Sequence, residues 1–187
     1  VLISLLPLEY AKAHDPGLSS LTIRQHTNTL EAILTLAVRD AEQIAELDGD
    51  RDGSVTQAEF AKTRPQLDVA VARQIVIITD GKVVKGSSRR SRLDENNNVE
   101  VVLNFDAPAF AHLEIESKVI AFLPLGHRQY LQVQNSRGEN ILERLLSAAA
   151  DRATVQLPHT DARTVALEAV RSFTNFLCLG VKHILTG

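Results

Sequence analysis

Residues 48–59 read Asp-Gly-Asp-Arg-Asp-Gly-Ser-Val-Thr-Gln-Ala-Glu, and a chain that carries this stretch has little freedom in how it folds around it. Asp48, Asp50 and Asp52 alternate, Gly53 follows at once, and Glu59 closes the run. Alternating carboxylates with a glycine bend behind them can converge on one point, as a hard cation with six to eight oxygen ligands demands. The pattern D-x-D-x-D-G-x₅-E is that of a twelve-residue EF-hand calcium loop, with every fixed position in register. In such a loop Ser54 offers its backbone carbonyl, Thr56 acts through a water, and Glu59 grips with both carboxylate oxygens. The expected ligand set for one Ca²⁺ is therefore Asp48, Asp50, Asp52, Ser54, Thr56 and Glu59. An acidic glycine loop without a cation is the plainer alternative; Val55 inside the loop and Phe60 just after it favour the calcium hand.

An EF loop needs a helix on each side. Asp40 with Gln43 three residues later has the form of a capping box, which predicts a short entering helix from Ala41 to Glu46 or Leu47. The exiting helix is expected to begin near Thr56 and to break before Pro65, because proline disfavours helical backbone in the residue ahead of it. A second helical piece is then expected over 66–73. The chain carries one such loop and no methionine, whereas calcium sensors expose a Met-rich groove. The hand reads as a structural clip and not as a switch.

Elsewhere the pattern has period two. Leu30, Ala32, Leu34, Leu36 and Val38 fall on one face with Glu31, Thr35 and Arg39 on the other, which predicts a half-buried strand over 30–38. Strands are also expected over 20–25, 75–79, 82–85, 99–105, 113–119, 129–134 and 153–157, with Asp80-Gly81 as a tight hairpin turn. About seven to nine short strands at this spacing point to a mainly β fold, an antiparallel β-sandwich. The EF-hand helix–loop–helix, near 40–73, is an insertion between its second and third strands. Lys82, Lys85, Arg89, Arg90 and Arg92 gather before the acidic and amide run at 94–98. With no aromatic among them they are expected to form a solvated hairpin loop and not a phosphate site.

A chain of 187 residues suffices for one good core, or one domain with an appendage. Its formal charge of −3 gives no support to a nucleic-acid partner. The single cysteine, Cys178, excludes an intramolecular disulfide and sits among apolar neighbours. The apolar opening followed by Ala11-Lys12-Ala13 reads as the tail of a secretory signal peptide, residues 1–13, cleaved after Ala13. A location outside the cytoplasm suits the loop, because single extracellular modules bind calcium with Kd of about 10⁻⁴–10⁻³ M. His14 at the new N-terminus reads first as a polar residue on a frayed end, and as the alternative it offers an amine and an imidazole together to a transition metal. His26, His112, His127 and His159 lack metal-ligand spacing and are assigned to turns and strand edges. At the other end Val170, Phe173, Leu177, Val181 and Ile184 share one stripe, predicting an amphipathic C-terminal helix over 161–187.

The last twelve residues, Phe-Leu-Cys-Leu-Gly-Val-Lys-His-Ile-Leu-Thr-Gly, resemble the first membrane segment of the HupE/UreJ-like family of nickel/cobalt permeases and hydrogenase or urease accessory proteins. Residues 13–19 resemble the mature start of the extracytoplasmic domain found ahead of such membrane portions. Leu-Pro-Leu-Gly-His-Arg at 123–128 resembles its L-P-P-G-H-R stretch, with Leu125 in place of proline. The resemblance implies that His183 opens an H-x₅-D-H metal motif continuing into an apolar span. It places Ni²⁺ or Co²⁺ in that membrane portion, so of these residues only His14 and His183 are candidates for a second metal. It also implies a bacterial protein secreted across the inner membrane, with residues 14–160 on the periplasmic face and 161–187 leading to the membrane. Calcium and the membrane are then the expected partners. A free secreted calcium-binding interaction or scaffold module is the alternative. Hydrolysis assisted by the bound cation is a third reading, but the chain has no G-x-S-x-G elbow, P-loop or C-x-x-C, and its clustered carboxylates are committed to calcium. The expectation is that the chain is not an enzyme.

Overall fold

The computed structural model describes residues 17–157. The expected signal-peptide tail, His14, His183 and the expected C-terminal helix with its family-like motif lie outside these residues. The described chain is mainly β, in two sheets that share one apolar core. Strands β1 (Leu18–Gln25) and β2 (Thr29–Ala37) form a hairpin. A single helical turn, α1 (Val38–Ala41), leads into the calcium-type loop, and α2 (Gln57–Gln74) leads out of it. Then follow β3 (Ile75–Thr79), β4 (Lys82–Val84), β5 (Gly86–Leu93) and β6 (Asn98–Asp106). β7 (His112–Ser117) passes through a 3₁₀ turn at Lys118–Phe122 to β8 (Arg128–Gln134), β9 (Asn140–Leu146) and β10 (Arg152–Gln156). The larger sheet has the order β5-β6-β2-β1-β8-β9 and the smaller β10-β7-β3-β4.

The alternating pattern explains the layers. Leu30, Ala32, Leu34 and Leu36 of β2 are buried on one face, beside Val99, Val101, Leu103 and Phe105 of β6. Ile75 and Ile77 of β3 with Leu113 and Ile115 of β7 supply the smaller sheet's side of the same cluster. A one-place slip of register would turn these side chains to solvent, so burial fixes the pairing. Asp80 (φ 48°) and Gly81 (φ 77°) both take positive φ, as a two-residue hairpin turn of the primed type requires. α1, the loop and α2 lie between β2 and β3.

Five local expectations are corrected. The sandwich is not wholly antiparallel, for β1 pairs in parallel with β8. Asp40 does not cap the entering helix. That helix starts at Val38 straight from the end of β2, where the Val38 amide donates to the Asn97 carbonyl at 2.9 Å, and it lasts four residues. α2 runs unbroken through Pro65. Phe60, Leu67 and Val71 are all buried, so core packing on both sides of the proline outweighs the bond that its missing N–H removes. The basic segment is not a loop: Lys82 opens β4, and the three arginines lie on the edge strand β5, where Arg90 and Arg92 pair with Glu100 of the adjacent β6 and Arg89 reaches Glu31 of β2 beyond it. The strand expected over 113–119 ends at Ser117 and gives way to the 3₁₀ turn. β9, with an exposed and unpatterned sequence, has no counterpart among the expected strands.

Gly86 opens β5 opposite Phe105, and the aromatic ring lies over it. A Cβ at this position would stand 2.5 Å from Phe105 Cε1. Because Phe105 is fully buried and cannot swing away, Gly86→Ala is expected to cost about 1–3 kcal/mol, the usual range for overpacking. Thermal unfolding of the variant checks this, and an unchanged midpoint would mean that the ring has room to move.

Candidate metal centre

Two buried apolar residues hold the ends of the loop. Leu47, immediately before Asp48, is fully buried, and Phe60, immediately after Glu59, is 3% exposed. Between them most of the loop lies at the surface, with Val55 tucked against the core. The exit is set by a capping box. The Glu59 amide donates to Thr56 Oγ1 at 3.2 Å, while the Thr56 amide donates to Glu59 Oε2 at 2.9 Å. On the sheet side, Gln57 Nε2 donates to the Leu93 carbonyl at 2.9 Å and Ser91 Oγ donates to the Asp68 carboxylate, fastening α2 along β5.

Inside the loop the carboxylates turn inward and gather backbone N–H groups. Asp48 accepts from the amides of Arg51 (2.7 Å) and Gly53 (2.8 Å), Asp50 from Asp52 (3.1 Å), and Asp52 from Ser54 (2.8 Å). Gly53 takes φ 90° and Arg51 φ 62°, so the chain doubles back where the pattern requires. Glu59 reaches across the loop, with Oε1 accepting from the amides of Gly49 (3.0 Å) and Asp50 (3.3 Å).

Asp48, Asp50 and Asp52 each bring one carboxylate oxygen to within 4.8 Å of the others. Oxygens sharing one Ca²⁺ at 2.3–2.6 Å can be no more than about 5 Å apart, so the three acids fit a common ion. Glu59 is not within that cluster; it stands across the loop on the amides of positions two and three. Ser54 and Thr56 lie on the path between them, Ser54 giving its amide to Asp52 and Thr56 serving as the N-cap of α2. The donor set is all oxygen and acidic, which suits a hard cation.

Glu59 is ionised at any ordinary pH. Hydrogen bonds from the Thr56 backbone and then from its side chain hold the carboxyl at about 2, against an ordinary value of 4.5. His127, which the sequence places at a strand edge, is instead buried, and beside it are Ser19, Gln129 and Asp40. Nothing in the local sequence signals this grouping; the parallel pairing of β1 with β8 creates it. No family model matches the chain, and no curated protein matches it.

The depressed Glu59 value predicts how the metal-free loop responds to acid. A carboxyl whose folded pKa lies below its unfolded one stabilises the fold above the unfolded value, and that contribution is lost as pH falls through the folded one. The Glu59 contacts are therefore expected to survive in chelator well below pH 4.5 and to fail near about pH 2. Carboxyl-carbon NMR titration reads this directly. Thr56→Val, which removes the hydroxyl donor, is expected to raise the Glu59 midpoint toward the ordinary value; an unmoved midpoint would refute the assigned cause.

Proposed function

We propose that this chain is a calcium-binding β-sandwich domain in which a single EF-hand clips one end of the fold. The observation that carries the reading is the inward convergence of Asp48, Asp50 and Asp52, with Glu59 turned back across the same loop. The cation takes its oxygens from these acids, the Ser54 carbonyl and, through water, Thr56. Bound there, it neutralises a dense set of like charges and stiffens the link from α1 to α2. The fold supports a structural role for the ion, because both helices already pack on the sheets through Ala41, Leu47, Phe60, Leu67 and Val71.

The setting we infer is extracytoplasmic, as the outward-facing domain of a membrane protein resembling the HupE/UreJ-like metal transporters. Its support is the resemblance at residues 13–19, 123–128 and 176–187, together with the fit of a weak calcium site to millimolar calcium. Ni²⁺ or Co²⁺ handling belongs, on this reading, to the membrane portion. Among the described residues no helix is long and apolar enough to cross a membrane.

Isothermal calorimetry tests the calcium reading. One equivalent of Ca²⁺ is expected to bind, with Mg²⁺ much weaker because it dehydrates reluctantly and demands near-octahedral geometry. At a calcium concentration a few times Kd, linkage adds about 1 kcal/mol of stability. Glu59→Gln is expected to remove most of the binding. Glutamine still serves at the third position of a capping box, so the loss would report the missing charge and not a broken helix. Wild-type protein that takes up no Ca²⁺ would refute the reading.

A further inference from the structure

His127 carries an unexplained group. Its side chain is fully buried, its Nε2 lies 2.9 Å from Ser19 Oγ, and its Nδ1 has no hydrogen-bond partner. The atom facing Nδ1 is Asp40 Oδ2, at 3.7 Å. That span is longer than the roughly 3.2 Å limit of a good N–H···O bond. It is a tight span for a bridging water, which at about 2.8 Å from each atom would hold them at roughly 80°, inside its own bond angle. An ion about 2.1 Å from each would see them at roughly 120°, close to a tetrahedral pair.

Ring chemistry agrees. Ser19 Oγ already accepts from Gln129 Nε2 at 3.3 Å and can accept again from an Nε2–H of His127. In that tautomer Nδ1 is an acceptor with no donor, 3.7 Å from a carboxylate oxygen that is an acceptor too. A metal-binding histidine has this arrangement: one nitrogen on the ion, the other N–H held by a neighbouring acceptor. Burial also lowers the imidazole's pKa against the weaker opposing pull of Asp40, which keeps the ring neutral and able to ligate near neutral pH. Gly17 crosses the gap. A Cβ there would lie 2.5 Å from Nδ1 and 3.3 Å from Asp40 Oδ2, so glycine keeps the space open.

We propose that His127 Nδ1 and the Asp40 carboxylate form a second metal site, distinct from the EF loop, for a borderline divalent ion of the Zn²⁺ class. One imidazole nitrogen and one carboxylate oxygen suit such an ion better than calcium. Asp40, whose side chain retains 13% exposure, gives the ion its route from solvent. Water completes the shell.

The test uses the full chain with excess Ca²⁺ to fill the loop, and Co²⁺ as a visible probe that Zn²⁺ should displace. Wild-type protein is expected to take one equivalent of Co²⁺ with the absorption of a low-coordinate site. Glu59→Gln should keep that signal, and His127→Gln and Asp40→Asn should each weaken binding by more than about tenfold. Circular dichroism checks that the variants fold; if His127→Gln does not, Asp40→Asn alone decides. No stoichiometric Co²⁺ uptake, or uptake unchanged in the folded variants, overturns the proposal. So does a signal lost in Glu59→Gln but kept in His127→Gln, because that Co²⁺ would sit in the EF loop. Calcium binding is measured separately by calorimetry, so the absence of one site can be told from the absence of the other.

Discussion

The arrangement depends on the burial of Leu47 and Phe60, the residues that bracket the loop. An acidic loop of this kind repels itself, and on an unanchored segment its carboxylates would spread apart. Here each end of the loop is fixed by a side chain in the core of the sandwich. Burying such a side chain is worth about 1.5–3 kcal/mol, enough to oppose the local repulsion. The loop can then gather backbone amides around its acids. β2 and β5 provide the frame, since α1 leaves the end of the first and α2 lies along the second. Calcium would complete this geometry and not create it.

The division between core and clip also explains where sequence is informative. Strands with one continuous apolar face, such as β2 and β6, are legible because burial of that face leaves a period-two trace. The loop at 48–59 is legible because its acids and its glycine stand at the fixed spacings that a calcium-type loop requires. Pro65 misleads because a local rule is set against packing by Leu67 and Val71, and packing prevails. Asp40 misleads in the same way: its spacing to Gln43 is that of a cap, but the turn it sits in begins at the end of β2. β5 hides because its exposed arginines look like a solvated loop until Glu31 and Glu100 appear beside them across the sheet. His127 and Asp40 cannot be paired from sequence at all. Only the parallel β1–β8 contact and the turn after β2 bring the two near each other, and parallel neighbours leave no short-range signal.

One end of the sandwich therefore gathers both proposed metal sites. The EF loop, Asp40 and His127 all belong to segments at the end where β1 begins and β2 finishes. The first is exposed, acidic and all oxygen; the second is buried and mixes nitrogen with oxygen. They suit different classes of ion, and the entering turn α1, which carries Asp40 and leads to Asp48, lies between them.

Native-state hydrogen exchange with and without calcium tests the central claim most directly. With the ion added, the amides of Arg51, Gly53, Ser54 and Thr56 should become protected, while those of β2 and β6 are already slow in chelator and change little. Strand amides that exchange freely until calcium is supplied would contradict the account, because the ion would then be building the sandwich and not clipping it.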